Sequence, residues 1–353
     1  MLPLLFVLVG QLQPGNGSVE FRQPQMAASQ GQVAITFGAG STIYFASSTD
    51  DGRKFSAPVK VANTGALALG RHRGPRINLL DDAIVISAVV GEQVSANSHA
   101  RLLPESGNLT IWRSTDHGKT WVRTGAVNDV PGAAREGLHA MGSDSQGNLF
   151  AAWLDLRGSG TRLYGALSKD GGLTWSKNVQ VYNSPEGSIC QCCAPSVAIA
   201  ENHEIWVMFR NVLDGDRDLY LTHTSDGVSF APAQRLGLGS WPLDACPMDG
   251  GGLVADHERV VSAWRRENDL FLTEPGRAEY RMGQGKDVAL AVSPKGTYVI
   301  WSSAKGLQLW KTGVEAPSLV GSEGAYPTLV SLEDGSVLAA WEYKGAIRVE
   351  KMQ

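Results

Sequence analysis

Three stretches of the chain repeat one eight-residue signature: Ser48-Thr-Asp50-Asp-Gly52-Arg-Lys-Phe55, Ser114-Thr-Asp116-His-Gly118-Lys-Thr120-Trp121 and Ser168-Lys-Asp170-Gly-Gly172-Leu-Thr174-Trp175. A shortened relative, Thr224-Ser-Asp226-Gly227-Val-Ser-Phe230, lacks one residue before its glycine. The spacing has a mechanical logic. Asp folds back on the N–H groups of a turn, Gly takes the φ > 0 position, and the aromatic plugs the gap beneath the hairpin. Four copies of one hairpin argue architecture before chemistry.

A second recurrence lies alongside the first, a strand rich in β-branched residues and Ala that ends on an aromatic. It appears at Gly147–Trp153, His203–Phe209, Glu258–Trp264, Gly296–Trp301 and Gly335–Trp341. Self-similarity of β-rich units at a period of ~40 to 50 residues marks a propeller with one four-stranded sheet per blade. Units begin near Arg22, Pro75, Gly137, Cys193, Cys246, Lys286 and Ala325, so the reading is all-β, a closed β-propeller with seven blades favoured over six. The last unit shows only about three strands of its own. The segment around Val19 to Arg22 is expected to supply the fourth and remove a free sheet edge. Gly91 to Gly107, polar and aperiodic, reads as a loop inserted in the second blade.

The length of 353 residues would ordinarily suggest two domains, but a propeller buries a core between every pair of blades and runs long as one unit. Residues 1–17 begin with the apolar run Leu-Pro-Leu-Leu-Phe-Val-Leu-Val, too short to span a bilayer. They resemble a signal peptide without its usual basic start, which leaves 18–353 as a single domain of a secreted or periplasmic protein. The alternative is a buried N-terminal strand. No other segment could cross a membrane, and a net charge of −4 argues against nucleic acid as a partner.

The four cysteines are Cys190, Cys192, Cys193 and Cys246. An even count in an oxidising compartment suggests two disulfides, with Cys192 or Cys193 reaching Cys246 in the next blade. Thiolates with a nearby imidazole could instead hold copper or zinc, with Cys192, Cys193, Cys246 and His139 as ligands. Otherwise no cofactor is expected.

The eight-residue signature is the Asp-box, and the chain resembles the sialidase superfamily of Asp-box propellers. Phe21-Arg22-Gln23-Pro24 is similar to the Phe/Tyr-Arg-Ile-Pro motif that opens sialidases. Ala325-Tyr326 through Ala340-Trp-Glu342 is similar to their closing Tyr…Asp-Gly…Tyr-Glu segment. The resemblance implies an exo-glycosidase acting on a terminal anionic sugar, with Arg gripping the carboxylate and Tyr326 as nucleophile. A phenol needs a base at neutral pH, and Glu136 or Glu342 could serve.

Arg outnumbers Lys by 20 to 11, and its planar fork suits a carboxylate. Arg22 and Arg76 at first-strand starts, with Arg157, Arg210 and Arg265 at second-strand ends, could form a cationic funnel around the axis. The place where sialidases carry their acid reads Ala34-Ile-Thr-Phe-Gly-Ala-Gly40, without a carboxylate. Asp155, in Asp155-Leu-Arg157, is the candidate displaced acid. A monomeric, non-catalytic propeller binding a glycan, a protein or a metal is the competing reading, because fold analogy cannot assign a reaction.

Overall fold

The computed structural model describes residues 6–15, 19–96, 103–256 and 259–352, which are all-β, with no helix among them. Strands assemble into seven sheets, blades I to VII. Their innermost strands are Arg22–Ser29, Arg76–Leu79, His139–Ser143, Ser196–Ile199, Gly251–Asp256, Lys286–Ser293 and Ala325–Ser331. Six blades follow the chain outward as an antiparallel meander, and blade II carries an additional short strand, Ala66–Leu67, beside Ile84–Gly91. Each innermost strand touches the next, and Ala325–Ser331 touches Arg22–Ser29, so the ring is closed.

Alternation along the strands explains the core. Side chains on one face of a blade meet the preceding blade and those on the other face meet the following one. Ala34 therefore packs toward blade II while its neighbour Ile35 packs toward blade VII. Each seam between adjacent blades holds its own apolar cluster, including the seam between VII and I. Trp153, Phe209, Trp264, Trp301 and Trp341, the aromatic ends of the repeated strand, are all buried.

The Asp-box hairpins join third and fourth strands. In blade II the Ser114 hydroxyl donates to Asp116 Oδ1 at 2.8 Å and accepts from the Gly118 N–H at 2.9 Å, while the Thr120 N–H donates to Asp116 Oδ1 at 2.9 Å. The same bonds recur around Asp50 and Asp170, and Thr224 replaces the serine beside Asp226. The glycine is required twice over. Gly118 has φ +82°, and a Cβ there would stand 2.2 Å from the Phe45 ring of blade I. Trp121 then packs edge-on against that same Phe45, with centroids 5.2 Å apart. The Asp-box is thus an inter-blade packing device.

One expectation changes. The fourth strand of blade VII is Phe6–Leu12, paired antiparallel with Ala346–Met352, and not the segment around Val19 to Arg22. Arg22 already opens the innermost strand of blade I, and the Phe21 N–H donates to the Gly345 carbonyl, so residues 19–21 are crossing from the rim to the axis. Part of the stretch read as a leader is therefore a closing strand. Residues 1–5 and 16–17 of that stretch lie outside the described residues.

Candidate active site at the axial mouth

The innermost strands all start at one end of the axis, and the chain breaks its regular geometry there in a repeated way. In blades I, VI and VII the ladder slips by one residue just after the strand begins, between Arg22 and Gln25, Lys286 and Ala289, and Ala325 and Thr328. The residues turned out by these bulges are Gln23, Asp287 and Tyr326, each with positive φ (56°, 57° and 50°). Non-glycine residues held in this region store strain, and such strain clusters at ligand sites.

A tight turn completes the mouth. The Arg73 N–H donates to the Gly70 carbonyl, and both central residues, Arg71 (φ 51°) and His72 (φ 66°), are left-handed, as a type I′ turn demands. Asn-Gly would be the usual choice at those positions, so two long polar side chains there are costly and conspicuous. The turn reaches across the axis. His72 Nε2 lies 2.8 Å from Asp287 Oδ1 of blade VI and 3.9 Å from Asp249 Oδ1 at the entry to blade V, and Arg71 contacts Met248. Arg76 props the turn from below through the His72, Gly74 and Pro75 carbonyls.

Tyr326 packs edge-on against the His72 ring, with centroids 5.3 Å apart. Burial pushes its phenol pKa up, the Asp287 and Glu342 charges push it further, and Arg22 and Arg71 oppose them. Glu342 stands across the ladder from Ala325; its Oε1 accepts from the Gln23 N–H at 2.8 Å and its Oε2 lies 3.5 Å from Arg22 Nε. Burial raises the Glu342 pKa against these partners. Asp249 is also raised by burial, and its Oδ1 has no hydrogen-bond partner although Arg265 holds Oδ2 at 3.2 Å. Burial alone would raise Asp287, but the bond to His72 holds it below the usual carboxylate range. Beneath this rim the channel is a cavity of about 510 Å³, lined by the innermost strands together with His72, Arg76 and Asp287.

The sequence candidates divide accordingly. Tyr326, Glu342 and Arg22 come together at the mouth. Glu136 stands on the blade II side, paired with Arg73 Nη2 at 3.3 Å, while Arg73 Nε donates to its backbone carbonyl. Asp155 is fully buried, held by both arms of Arg157 at 2.9 Å and by the Trp153 indole N–H at 2.8 Å. Arg157 also bonds Asp129 and Asn178 and lies over the Tyr164 ring, contacts that brace blade III.

The cationic funnel is largely occupied by the protein itself. Arg76 is spent on backbone carbonyls, and its desolvation lowers its pKa to about 10. Arg210 donates to the Arg217 and Arg265 carbonyls from a buried position. Arg265 is tied to Asp249 and the Glu267 carbonyl. Arg22 and Arg71 remain with donors open to solvent.

The cysteines also depart from expectation. All four are free thiols. Cys190, Cys192 and Cys193 precede the innermost strand of blade IV in a turn rather than lying within it, so their sulfurs converge instead of alternating. His139 is not beside them. It is buried near Arg76, bonded to Ser87 Oγ at 3.0 Å, and desolvation lowers its pKa to about 3.

Sequence reasoning missed Arg71, His72, Asp249 and Asp287. Asp287 could have been found by aligning Lys286-Asp287 with Arg22-Gln23 and Ala325-Tyr326 as strand openings. Nothing local marks Arg71-His72 as a turn that spans the axis.

The comparisons fit this architecture. No curated protein matches the sequence. Among solved structures, an α-L-arabinanase of Penicillium chrysogenum complexed with arabinobiose is 14% identical, covering 99% of this chain and 98% of that one at a TM-score of 0.56. A family PL25 ulvan lyase is 10% identical at a TM-score of 0.60, with 97% and 95% covered. The NanB sialidase of Streptococcus pneumoniae is 11% identical at 0.54, with 98% of this chain and 70% of that one covered. Identities this low speak for the fold alone. The model of the BNR repeat-like domain matches residues 25–338, most of the chain, and the protein belongs to that family.

Proposed function

We propose that this propeller is carbohydrate-active and cleaves a glycosidic bond of an acidic sugar at its axial mouth. The observation that carries the reading is the convergence of Tyr326, Glu342 and His72 beside the two open guanidinium groups, Arg22 and Arg71. Arg22 and Arg71 would hold the substrate carboxylate by charge-assisted bonds. Tyr326 would attack the anomeric carbon while Glu342 takes the phenol proton, the exception to the paired-carboxylate rule. His72, oriented by Asp287, would protonate the departing oxygen. Water would then release the sugar from Tyr326. A carboxylate raised by burial suits the base, since proton transfer is most effective with a pKa near working pH. The arabinanase, ulvan lyase and sialidase structures add support, as each is a carbohydrate-active protein on this fold.

A panel of fluorogenic glycosides, an α-sialoside, a uronide and an α-L-arabinofuranoside, tests the reading. Turnover of an acidic member is expected, lost in Tyr326→Phe and reduced in Arg22→Ala mainly through KM. Because Glu342 must be ionised to act as base, kcat/KM should rise with pH along a limb lying above the ordinary Glu range. Turnover unchanged in Tyr326→Phe would reject the assigned nucleophile.

A second reading, binding without turnover, is favoured by the raised phenol pKa of Tyr326, which holds the proton on the attacking oxygen. In that case the acidic sugar binds by calorimetry, no product forms, and Arg22→Ala weakens the binding.

A further inference from the structure

The segment linking blade III to blade IV contains Cys190-Gln191-Cys192-Cys193, and its turn gathers three sulfur atoms at the rim of the mouth. Cys190 Sγ lies 3.6 Å from Cys192 Sγ and 3.6 Å from Cys193 Sγ, and all three sulfurs are within 4.8 Å of one another. Metal–sulfur bonds of ~2.3 Å put ligand sulfurs roughly 3.8 to 4.0 Å apart, for tetrahedral and trigonal centres respectively. Small rotations of three side chains reach that geometry.

The surroundings suit an anionic thiolate centre. Arg217 Nη1 donates to Cys190 Sγ at 3.3 Å, and the Arg210 charge acts on Cys190 and Cys193. Cys246 is exposed in the loop entering blade V. Arg217 Nε holds the Leu243 carbonyl of that loop, and Cys246 lies within electrostatic range of the same guanidinium.

We propose that Cys190, Cys192 and Cys193 form a thiolate site for a soft d10 cation, Zn2+ or Cu+, with Cys246 as the fourth ligand when the ion demands one. Three sulfurs that converge on one point beside the Arg217 guanidinium make a ligand set for one ion. Soft thiolates select these two ions over hard cations. Neither ion is redox-changed by binding; each thiol yields its proton to solvent as its metal bond forms. The bound ion would tie the entry of blade IV to the loop that carries Met248 and Asp249, giving that loop a fixed anchor. The site is independent of the sugar chemistry proposed above and survives its failure.

Elemental analysis of the whole protein, purified without chelator under reducing conditions, together with a free-thiol count, is the test. About one Zn2+ or Cu+ per chain is expected, with the element identifying which ion binds. Added Co2+ should give the sulfur-to-cobalt charge-transfer absorption if the site is tetrahedral, and added Cu+ should compete for it. Cys190→Ser should lose the ion, whereas Arg217→Met should weaken it roughly tenfold while keeping stoichiometry, as an outer-sphere partner does. Cys246→Ser should abolish the tetrahedral cobalt spectrum but leave Cu+ bound. Because Cys190→Ser could unfold blade IV, circular dichroism and the thermal transition are read alongside metal content. An intact mass showing a disulfide within Cys190–Cys193, or four reactive thiols with no ion taken up from added Zn2+ and Cu+, would overturn the proposal.

Discussion

At the scale of single residues, the mouth and the wall beneath it put buried titratable groups to opposite uses. His139 has a folded-state pKa of about 3 against an ordinary value of 6.5, so it stays neutral in the fold and charges in the unfolded chain. Its contribution to stability is present above pH 6.5 and is lost as pH falls toward 3. Each pH unit in that window is worth about 1.4 kcal/mol, so acidification from pH 6.5 to 5 should remove roughly 2 kcal/mol. Urea unfolding of His139→Gln across this range should show a flatter profile; an identical profile would mean His139 is not the titrating group. The lowered Asp-box carboxylates Asp50, Asp170 and Asp226 stabilise the fold above their unfolded value of 3.8, and that contribution is lost only as pH falls below it. Glu342 and Asp249, raised by burial, run the other way, destabilising as pH climbs through their folded values.

At the scale of elements, the Asp-box shows why a motif can be strong in sequence and silent in function. Its bonds close within eight residues, so the pattern survives wherever the hairpin does. Its tertiary role is contact with the preceding blade: Gly52 faces Leu338 and Gly118 faces Phe45, while Phe230 packs against Phe150. Gly118→Ala combines a disfavoured φ of +82° with a clash against Phe45. It should lower stability by about 2 kcal/mol or more, measured by urea unfolding, while saccharide binding is unchanged. A variant as stable as the parent would show that blade I yields at this seam.

At the scale of the whole molecule, stability rests on closing the ring. Seven seams each bury an apolar cluster, and the seam between VII and I involves both chain ends, since Leu12 packs with Ile35, Leu338 and Val349. Removing residues 1–13 should expose the Ala346–Met352 strand as an unpaired edge, a template for association. A lower melting temperature and concentration-dependent light scattering are expected. A truncated chain that melts unchanged and stays monodisperse would show that three strands suffice for blade VII.

Alternation, the Asp-box spacing and the aromatic-ended strands determined by themselves that this chain is an all-β propeller, because each signal is a local rule repeated from blade to blade; they favoured seven blades over six, and the seven sheets were settled by the tertiary structure. They also placed Arg22, Tyr326 and Glu342 at the same end, since strand starts and ends follow from a meander. Which side chains meet across the axis was decided only by tertiary structure. His72 and Asp287 are separated by 215 positions yet bonded, through a left-handed turn that no turn propensity predicts. The same holds for the arginines. Arg22 pairs with Glu342 through Nε yet stays well exposed, while Arg76, Arg157 and Arg210 are taken up by carbonyls and carboxylates. A guanidinium reads alike in sequence whether it awaits a ligand or satisfies buried backbone, and only its neighbours in space tell the two apart.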